Sequence, residues 1–219
     1  MLNELPGVIN HRGQPGKRLF DQALAIPALV LLLPAMAFAA ILVAFDLGFP
    51  ILFRQRRPGK YEQPFVLLKF RTMTDAKEHD GKPKPDIERM SIIGRFLRKT
   101  SLDELPQLWN VVRGEMSLVG PRPLLMEYLP YYTPEQRRRH DVLPGITGWA
   151  QIKGRGELVF SERLKLDLWY IDNWSLYLDC KILCRTVIGV LRCSGVRLNQ
   201  TIHEVDDLGL NPATRKKLS

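Results

Sequence analysis

Two adjacent carboxylates, Asp103 and Glu104, are the residues of this sequence with the clearest potential for chemistry. They lie in RKTSLDELPQLW (98–109), which predicts the start of a helix, where unpaired N–H groups and the helix dipole stabilise an anion. A carboxylate that stays ionised at neutral pH can act as a nucleophile or bind a metal ion. A purely structural interpretation also fits, because Ser101-x-x-Glu104 matches a capping box. The pattern alone leaves both interpretations open.

Several basic residues elsewhere in the chain could bind phosphate groups near these carboxylates. Arginine suits this purpose because its planar guanidinium binds two oxygens at once. Arg122 is flanked by Pro121 and Pro123, which restrict the backbone, and Arg155 lies between glycines, where a backbone can approach a ligand closely. Each basic residue alone also fits an ordinary exposed surface charge. The candidate phosphate-binding residues are Lys69, Arg98, Arg122 and Arg155.

The overall charge indicates an anionic partner. The chain has 219 residues, enough for one domain of ordinary size, and a formal net charge of +9. Anionic lipid headgroups, phosphorylated substrates and nucleic acid would all match this charge. We expect no nucleic-acid binding, because the sequence contains no recognisable nucleic-acid motif or aromatic-basic platform. The three cysteines, Cys180, Cys184 and Cys193, match no disulfide framework or metal pattern and predict free, buried thiols.

An apolar segment near the N-terminus must position this chemistry relative to a membrane. Residues 23–45 contain no charged or hydrogen-bonding side chain. At about 1.5 Å per helical residue, this segment could cross about 30 Å of hydrocarbon. A signal peptide, a single spanning helix and a re-entrant hairpin are the three interpretations. The arginine-rich sequence that follows the segment argues against a signal peptide.

Positive charges at both ends of the segment favour the re-entrant interpretation. Lys17 and Arg18 precede it, and the arginine-rich FRQRRPG (53–59) follows it. Basic flanks prefer the cytoplasmic side, so a spanning helix would force one of the two groups outward. Pro34 lies at the centre, lacks an N–H donor and predicts a break between two helical arms. We therefore expect both ends of the segment on the same face of the membrane.

The remainder of the chain predicts a mainly helical α+β fold. Two short strands, 51–55 and 65–70, are expected to form a β-hairpin, and residues 75–90 and 143–157 to form loops. Ser91 and Thr133 are expected to cap helices. The final helix could pack on the core or lie at the membrane interface. Further helices are predicted near 101–113, 161–172 and 176–192, and residues 195–219 are expected to be a loose tail.

Several motifs together resemble the small monotopic bacterial phosphoglycosyl transferases, which form the bacterial sugar transferase family. The resemblance covers about residues 16–197. It implies transfer of a sugar-1-phosphate from a UDP-sugar to polyprenol (undecaprenyl) phosphate, with release of UMP, as the first membrane step of glycoconjugate and polysaccharide biosynthesis. The motifs are GKRLFD, FRQRRPG, LKFRTM, LRKTSLDELPQLWNVVRGEMSLVGPRPLLMEYLP, RRRHDVLPGITGWAQIKGR and LDLWYIDNWSLYLDCKIL.

The resemblance also implies a mechanism and roles for individual residues. Asp103 aligns with the nucleophile of a ping-pong reaction that forms an aspartyl-phosphosugar intermediate, and Glu104 completes the Asp-Glu pair of the family. Mg²⁺ is required, with Asp103 as a ligand. Substrate-binding positions are taken by Lys69, Arg98, Pro121, Arg122, Pro123 and Arg155, and Pro34 aligns with the proline that breaks the membrane helix.

The implied architecture has three parts. Residues 1–48 hold an N-terminal segment and a re-entrant membrane helix hairpin, residues 49–197 a cytosolic catalytic domain with interfacial helices, and residues 198–219 a C-terminal tail. The implied location is the bacterial inner membrane, monotopic, with the active site facing the cytoplasm. Two alternatives remain open: a phosphatase with an aspartate nucleophile, although the usual D-x-D pattern is absent, and a non-catalytic membrane-surface scaffold that binds polyprenol phosphate.

Overall fold

One long N-terminal helix, followed by short helices and strands, makes up this computed structural model. The structure describes residues 15–78, 81–82, 84–154, 158–192, 202–212 and 214–215. The helices are α1 (Pro15–Leu47), α2 (Asp86–Arg89), α3 (Ile92–Thr100), α4 (Gln107–Arg113), α5 (Pro134–Arg137), α6 (Trp149–Gly154), α7 (Phe160–Asp172), α8 (Leu176–Leu191) and α9 (Ile202–Val205). The strands are β1 (Leu52–Pro58), β2 (Pro64–Phe70), β3 (Ser117–Val119) and β4 (Gly145–Thr147), and 3-10 turns occupy Lys60–Glu62, Leu102–Glu104, Met126–Tyr131 and Arg138–His140.

The first helix, α1, has 33 residues and is long and apolar enough to cross a membrane. The structure contains one helix here instead of the predicted helix-break-helix, because both Pro27 and Pro34 lie inside α1. A proline removes only one N–H donor from the ladder, so hydrogen bonds in the neighbouring turns can carry a helix past it. The expectation that Pro34 separates two helical arms is therefore wrong at the level of secondary structure.

The two sides of α1 have different surroundings. Ala25, Ala39 and Val43 have no exposed surface and lie on the side that faces the rest of the protein. The opposite side carries a contiguous stripe of exposed apolar side chains. Such a stripe is typical of a surface in contact with lipid and indicates a membrane protein. The large exposed side chains of that stripe are Leu19, Leu24, Ile26, Val30, Leu31, Leu33, Phe38, Ile41 and Phe45.

Both halves of α1 pack against the following domain. Ala25 belongs to a buried apolar cluster that also contains Val111 of α4 and Ile182 of α8. Val43 belongs to a second cluster with Leu97 of α3. The long helix is therefore part of the core of the protein along most of its length, and it is not a separate appendage.

The beginning of α1 is tied to the domain by buried charges. The Lys17 Nζ lies 2.6 Å from the Asp179 carboxylate, which also accepts hydrogen bonds from the Tyr170 hydroxyl (2.7 Å) and the Trp174 Nε1 (3.1 Å). Arg18 donates to the backbone carbonyl oxygens of Val111 (2.6 Å) and Val112 (2.9 Å), at the end of α4. The two basic residues that the sequence offered as membrane flanks are therefore bound by protein groups.

The predicted hairpin is present and is longer than expected, with β1 and β2 antiparallel from Leu52 opposite Phe70 to Pro58 opposite Pro64. The Asn110 side chain of α4 holds the edge of β2. It donates to the Val66 carbonyl (2.8 Å) and accepts from the Leu68 amide (3.2 Å). This pairing of a helix side chain with a strand edge fixes the position of β2 beside the turn that carries Asp103.

A second, parallel pair of strands was not predicted. Ser117 of β3 pairs with Gly145 of β4, and Val119 pairs with Thr147. The expected loop at 143–157 is wrong over β4 and α6. Each strand is only three residues long. Glycine is needed at position 120 because a Cβ there would lie 2.5 Å from the Leu143 carbonyl oxygen, too close for the two segments to approach as they do. Short strands with glycines carry too little alternation to be distinguished from loops.

Two expectations about the C-terminal third need correction. Residues 195–219 were expected to be loose, but Val205, Asp206, Leu210 and Thr214 are buried against the domain. Cys180 and Cys184 are free, as predicted, but they are exposed, because the apolar face of α8 turns outward at these positions. Cys193 lies outside the described residues. The domain boundaries at residues 48 and 197 stay predictions.

Candidate active site

The two carboxylates lie in the 3-10 turn Leu102–Glu104, between α3 and α4. Ser101 ends α3 in the left-handed conformation (φ 58°), and its side chain makes no capping hydrogen bond to this turn. The capping-box interpretation is therefore wrong, and a single helix over 101–113 does not form. Glu104 is released from local capping and reaches residues that are distant in sequence.

The Glu104 carboxylate is held by two cations. Its Oε1 accepts from the Lys69 Nζ at 2.7 Å and from the Arg122 Nη2, and its Oε2 lies 3.4 Å from the Arg122 Nη1. Burial acts to raise the pKa of Glu104, but the charges of Arg122 and Lys69 outweigh it and hold that pKa well below its usual range. Glu104 is therefore ionised at neutral pH and holds the Lys69 and Arg122 side chains in place.

Asp103 has the opposite environment. It is 7% exposed, and its carboxylate makes no hydrogen bond or ion pair with any other residue in the described part of the chain. Burial and the neighbouring charge of Glu104 raise its pKa to about 6, against the attraction of Lys69, Arg98 and Arg122. The carboxylate is still largely ionised at pH 7, and it is unpaired. These are the properties that a nucleophile needs.

The Pro-Arg-Pro element is fixed by hydrogen bonds to its backbone. The Pro121 carbonyl oxygen accepts from the Gly145 amide at 3.0 Å, and the Pro123 carbonyl oxygen accepts from the Arg57 Nη1 at 3.3 Å. Between them, the Arg122 carbonyl oxygen accepts from the Arg139 Nη2 at 2.8 Å. Three consecutive carbonyl groups are thus held, so the Arg122 guanidinium projects from a rigid backbone.

Arg139 and its partner Asp167 were missed as site residues. Both are buried, and the Arg139 Nη2 lies 2.7 Å from the Asp167 Oδ2. This buried ion pair joins the segment before β4 to α7. Arg139 also donates one hydrogen bond to the Pro-Arg-Pro backbone. The basic run RRRH (137–140) was the available signal, but sequence alone does not show which of its arginines turns inward.

The predicted residues converge only in part. Asp103, Glu104, Lys69 and Arg122 form one cluster, as expected. Arg98 lies at its edge, where its Nε donates to the Thr72 hydroxyl at 3.0 Å. The predicted site residue Arg155 lies outside the described residues, so its role stays a prediction.

The residues present fit a Mg²⁺ ion that is shared with a substrate. No group of three or more His, Cys, Asp or Glu side chains converges among the described residues. Mg²⁺ usually takes one or two protein carboxylates together with water and substrate phosphate oxygens. The unpaired Asp103 carboxylate suits this role, whereas the Glu104 oxygens are already engaged by Lys69 and Arg122.

A cavity of about 270 Å³ adjoins the carboxylate pair. Lys69 and Arg122 form its boundary with the pair, so the cavity and the carboxylates belong to one site. Its other walls include Arg57, Gln107, Arg163 and Val205, none of which the sequence had suggested as a site residue.

Comparison with known proteins gives consistent results. The profile of a family described as bacterial sugar transferase matches residues 12–193. The chain is 52% identical over 187 residues to the uncharacterized sugar transferase EpsL of Bacillus subtilis (strain 168), covering 85% of this chain and 92% of that protein.

Longer proteins are also similar to it. One is the UDP-glucose:undecaprenyl-phosphate glucose-1-phosphate transferase of Xanthomonas campestris pv. campestris, 41% identical over 186 residues (80% of this chain, 38% of that protein). Another is the undecaprenyl-phosphate galactose phosphotransferase of Salmonella typhimurium, 38% identical over 197 residues (82% of this chain, 41% of that protein). The chain spans less than half the length of these two relatives. The match to the family over most of the chain, together with the motifs around the carboxylate pair, establishes that the chain belongs to the bacterial sugar transferase family.

Proposed function

We propose that this chain transfers a sugar-1-phosphate from a UDP-sugar to undecaprenyl phosphate and releases UMP. The names of the Xanthomonas and Salmonella relatives support these substrates. The observation that carries the proposal is the contrast between two adjacent carboxylates. Glu104 is locked by Lys69 and Arg122, whereas Asp103 is buried, largely ionised at pH 7 and unpaired.

In the first half-reaction, an Asp103 carboxylate oxygen attacks the β-phosphorus of the UDP-sugar. A bond forms between that oxygen and phosphorus, and the bond between the β-phosphorus and the bridging oxygen breaks, so that UMP leaves with the electron pair. Arg122 and Lys69 lie beside the attacking group, where they balance the negative charge of the phosphoryl oxygens. Mg²⁺ bound through Asp103 and the substrate would neutralise further charge on the diphosphate.

In the second half-reaction, a phosphate oxygen of undecaprenyl phosphate attacks the phosphorus of the aspartyl-phosphosugar. The bond from phosphorus to the Asp103 oxygen breaks, which regenerates the carboxylate and releases undecaprenyl diphosphate-sugar. Glu104 stays anchored throughout, because its low pKa keeps it ionised. Its role is to hold Lys69 and Arg122 in place for both steps.

We further propose that α1 enters the membrane from the cytoplasmic side and does not cross it. Lys17, near its first residue, is bound to Asp179 of α8, and Val43, near its end, packs with Leu97 of α3. A spanning helix would carry these two parts of one domain to opposite faces of the bilayer. The exposed apolar stripe of α1 can instead contact lipid while its other side stays on the domain.

A product assay tests the proposed reaction. The protein is incubated with UDP-sugars, Mg²⁺ and undecaprenyl phosphate, and released nucleotides are measured. Phosphotransfer gives UMP, a transferase of the sugar alone gives UDP, and a non-catalytic scaffold gives neither. Asp103→Asn should abolish UMP release, whereas the control Asp86→Asn, at an exposed aspartate of α2, should retain it. Retained turnover in Asp103→Asn would contradict the assignment of the nucleophile.

The topology is tested by labelling. Cys180, Cys184 and Cys193 are replaced by serine, and single cysteines are introduced as Gly16→Cys and Arg56→Cys, at exposed positions before and after the apolar segment 23–45. Both sites should react with a membrane-impermeant reagent only from the cytoplasmic face. Labelling of the two sites from opposite faces would refute the proposal.

A further inference from the structure

The cavity next to the carboxylate pair has an excess of positive charge that the proposed chemistry at Asp103 does not use. Arg57 and Arg163 line it, and neither forms an ion pair with a carboxylate in the described part of the chain. Arg57 donates to the Gln55 side-chain oxygen and to the Pro123 carbonyl. Among the residues that the structure describes, Arg163 donates only to the Leu158 carbonyl, at 3.4 Å, and it lies over the Phe160 ring. Arg57 and Arg163 therefore face the same space, and within the described ranges neither is in direct contact with a carboxylate.

Their pKa values reflect this imbalance. Burial, together with the charge of Arg122, lowers the pKa of Arg57 to about 10, and the same two causes lower the pKa of Arg163. A guanidinium remains protonated at neutral pH in either case. The direction of both shifts means that the charged forms lack sufficient compensation within the protein, so an anion in the cavity would stabilise both.

Gln107 provides a second, independent indication of a ligand. It lines the same cavity and is 2% exposed, and its Nε2 has no hydrogen-bond partner in the part of the chain that the structure describes. A buried amide donor without a partner is unfavourable and rare in folded proteins, and it commonly marks a functional position. A bound molecule with an acceptor oxygen would satisfy it.

The placement of the cavity favours the water-soluble substrate over the lipid one. No residue of α1 or α8 lines it. Its walls come from β1, β2, α4, the Pro-Arg-Pro segment with the two leucines that follow, the 3-10 turn Met126–Tyr131, α7 and α9. The exposed apolar stripe of α1 is the surface that we propose contacts lipid, and a polyprenol chain must remain at that surface. With a volume of about 270 Å³, the cavity suits part of a nucleotide and is too small for a long isoprenoid chain.

We propose that this cavity binds the nucleotide half of the donor, with Arg57 and Arg163 on its phosphate adjacent to the scissile bond and the Gln107 amide donating to an oxygen of the nucleotide. The inference rests on the proposed function, because it assumes a nucleoside diphosphate-sugar donor. The C-terminal segment then has a specific role. Val205 of α9 closes one wall, so a part of the chain expected to be loose shapes the donor pocket.

The first test is direct binding of UMP to the purified full-length protein by calorimetry, without turnover. Arg163→Gln should weaken UMP binding about tenfold, since one charge-assisted hydrogen bond to phosphate is lost. The control Lys165→Gln removes a positive charge from an exposed position of the same helix and should bind UMP like the wild type. Arg163 is the preferred target because, unlike Arg57, it does not hold the Pro-Arg-Pro backbone.

A second variant keeps the test valid if Arg163→Gln folds poorly. Gln107→Leu removes the unpaired donor while keeping a similar volume, so it should retain or raise Tm and weaken UMP binding. In steady-state assays, both variants should raise the KM for the UDP-sugar about tenfold and leave the KM for undecaprenyl phosphate unchanged.

The outcomes separate this inference from the proposed function. If the wild type releases no UMP from any UDP-sugar, the proposed function fails, whatever the variants do. If the wild type releases UMP but the KM for undecaprenyl phosphate rises in the variants, the cavity holds the acceptor and the inference is refuted. Unchanged UMP binding in both folded variants would refute it equally.

Discussion

Replacing Asp103 with asparagine should abolish transfer and stabilise the protein at the same time. Burial and the charge of Glu104 raise the pKa of Asp103 from 3.8 to about 6, so the folded protein holds the ionised form at a disadvantage. At pH 7 this rise in the pKa of Asp103 lowers the free energy of unfolding by about 3 kcal/mol. Asparagine has nearly the same shape and no charge, so it removes this unfavourable contribution.

The sign of the effect depends on pH in a defined way. Between the unfolded pKa, near 4, and the folded pKa, about 6, the folded state binds the Asp103 proton more tightly than the unfolded chain does. The stability of the wild type therefore falls as pH rises through this window, and the loss is complete above it. The advantage of Asp103→Asn should be largest at pH 7 to 8 and should vanish below about pH 4.

Glu104→Gln is the matched comparison, since it also converts a carboxylate to an amide in the same turn. Because Lys69 and Arg122 hold the pKa of Glu104 low, its loss leaves two cations unpaired and should destabilise the protein at neutral pH. Unfolding of both variants and the wild type is followed by thermal denaturation between pH 4 and 8. A rise in Tm of several degrees is expected for Asp103→Asn at pH 8. A lower Tm at pH 8, or a difference independent of pH, would refute the reasoning.

Three further predictions concern pH and buried charges. UMP release in the first half-reaction should fall about tenfold from pH 7 to pH 5, because Asp103 becomes protonated through its pKa of about 6; a flat rate over this range in rapid-quench measurements would contradict it. Asp167→Asn should lower the free energy of unfolding by about 3 kcal/mol in denaturant titrations, because Arg139 stays buried without its counter-charge. The same variant should raise the KM for the donor, because Arg139 holds the Arg122 carbonyl and so positions the Arg122 side chain. Lys17→Met should destabilise by a similar amount by leaving the Asp179 charge buried and unpaired, and an unchanged Tm would contradict this.

Local patterns in the sequence predicted those parts of the fold that depend on local interactions. The Ser91 hydroxyl accepts from the Gly94 amide, and Thr133 and Gln136 form a reciprocal capping box, as their spacing indicated. The hairpin was also predictable, because its turn residues and its alternation lie within one short stretch. In each case the partners are a few residues apart.

Long-range partners could not be predicted in this way. Ser101 and Glu104 have the spacing of a capping box, but Glu104 pairs with Lys69 and Arg122, which are 35 and 18 residues away. The strengths of these charge-assisted contacts exceed that of a cap, so the distant partners prevail. The resemblance to the family named Lys69, Glu104 and Arg122 together, because motifs from separate segments were considered together, and these three residues are in contact in the structure.

The membrane segment shows the same limitation from another side. The prediction treated the basic residues that flank it as solvated charges that prefer the cytoplasmic side of the bilayer. In the structure, Lys17 is buried against Asp179 and Arg18 binds the end of α4. The continuity of α1 through Pro34 was likewise not predicted, and both halves of the helix pack against the domain. Hydropathy identified the segment, but its conformation depends on contacts that only the folded structure contains.

The packing of both halves of α1 has a consequence for protein engineering. The turn that carries Asp103 connects α3 and α4, and each of these helices rests on α1, through Leu97 and Val111 respectively. Deleting α1 to obtain a soluble protein would therefore remove packing from both helices that flank this turn. Polar substitutions restricted to its outward stripe, at positions such as Leu31 and Phe45, leave that packing in place and should lower the need for detergent.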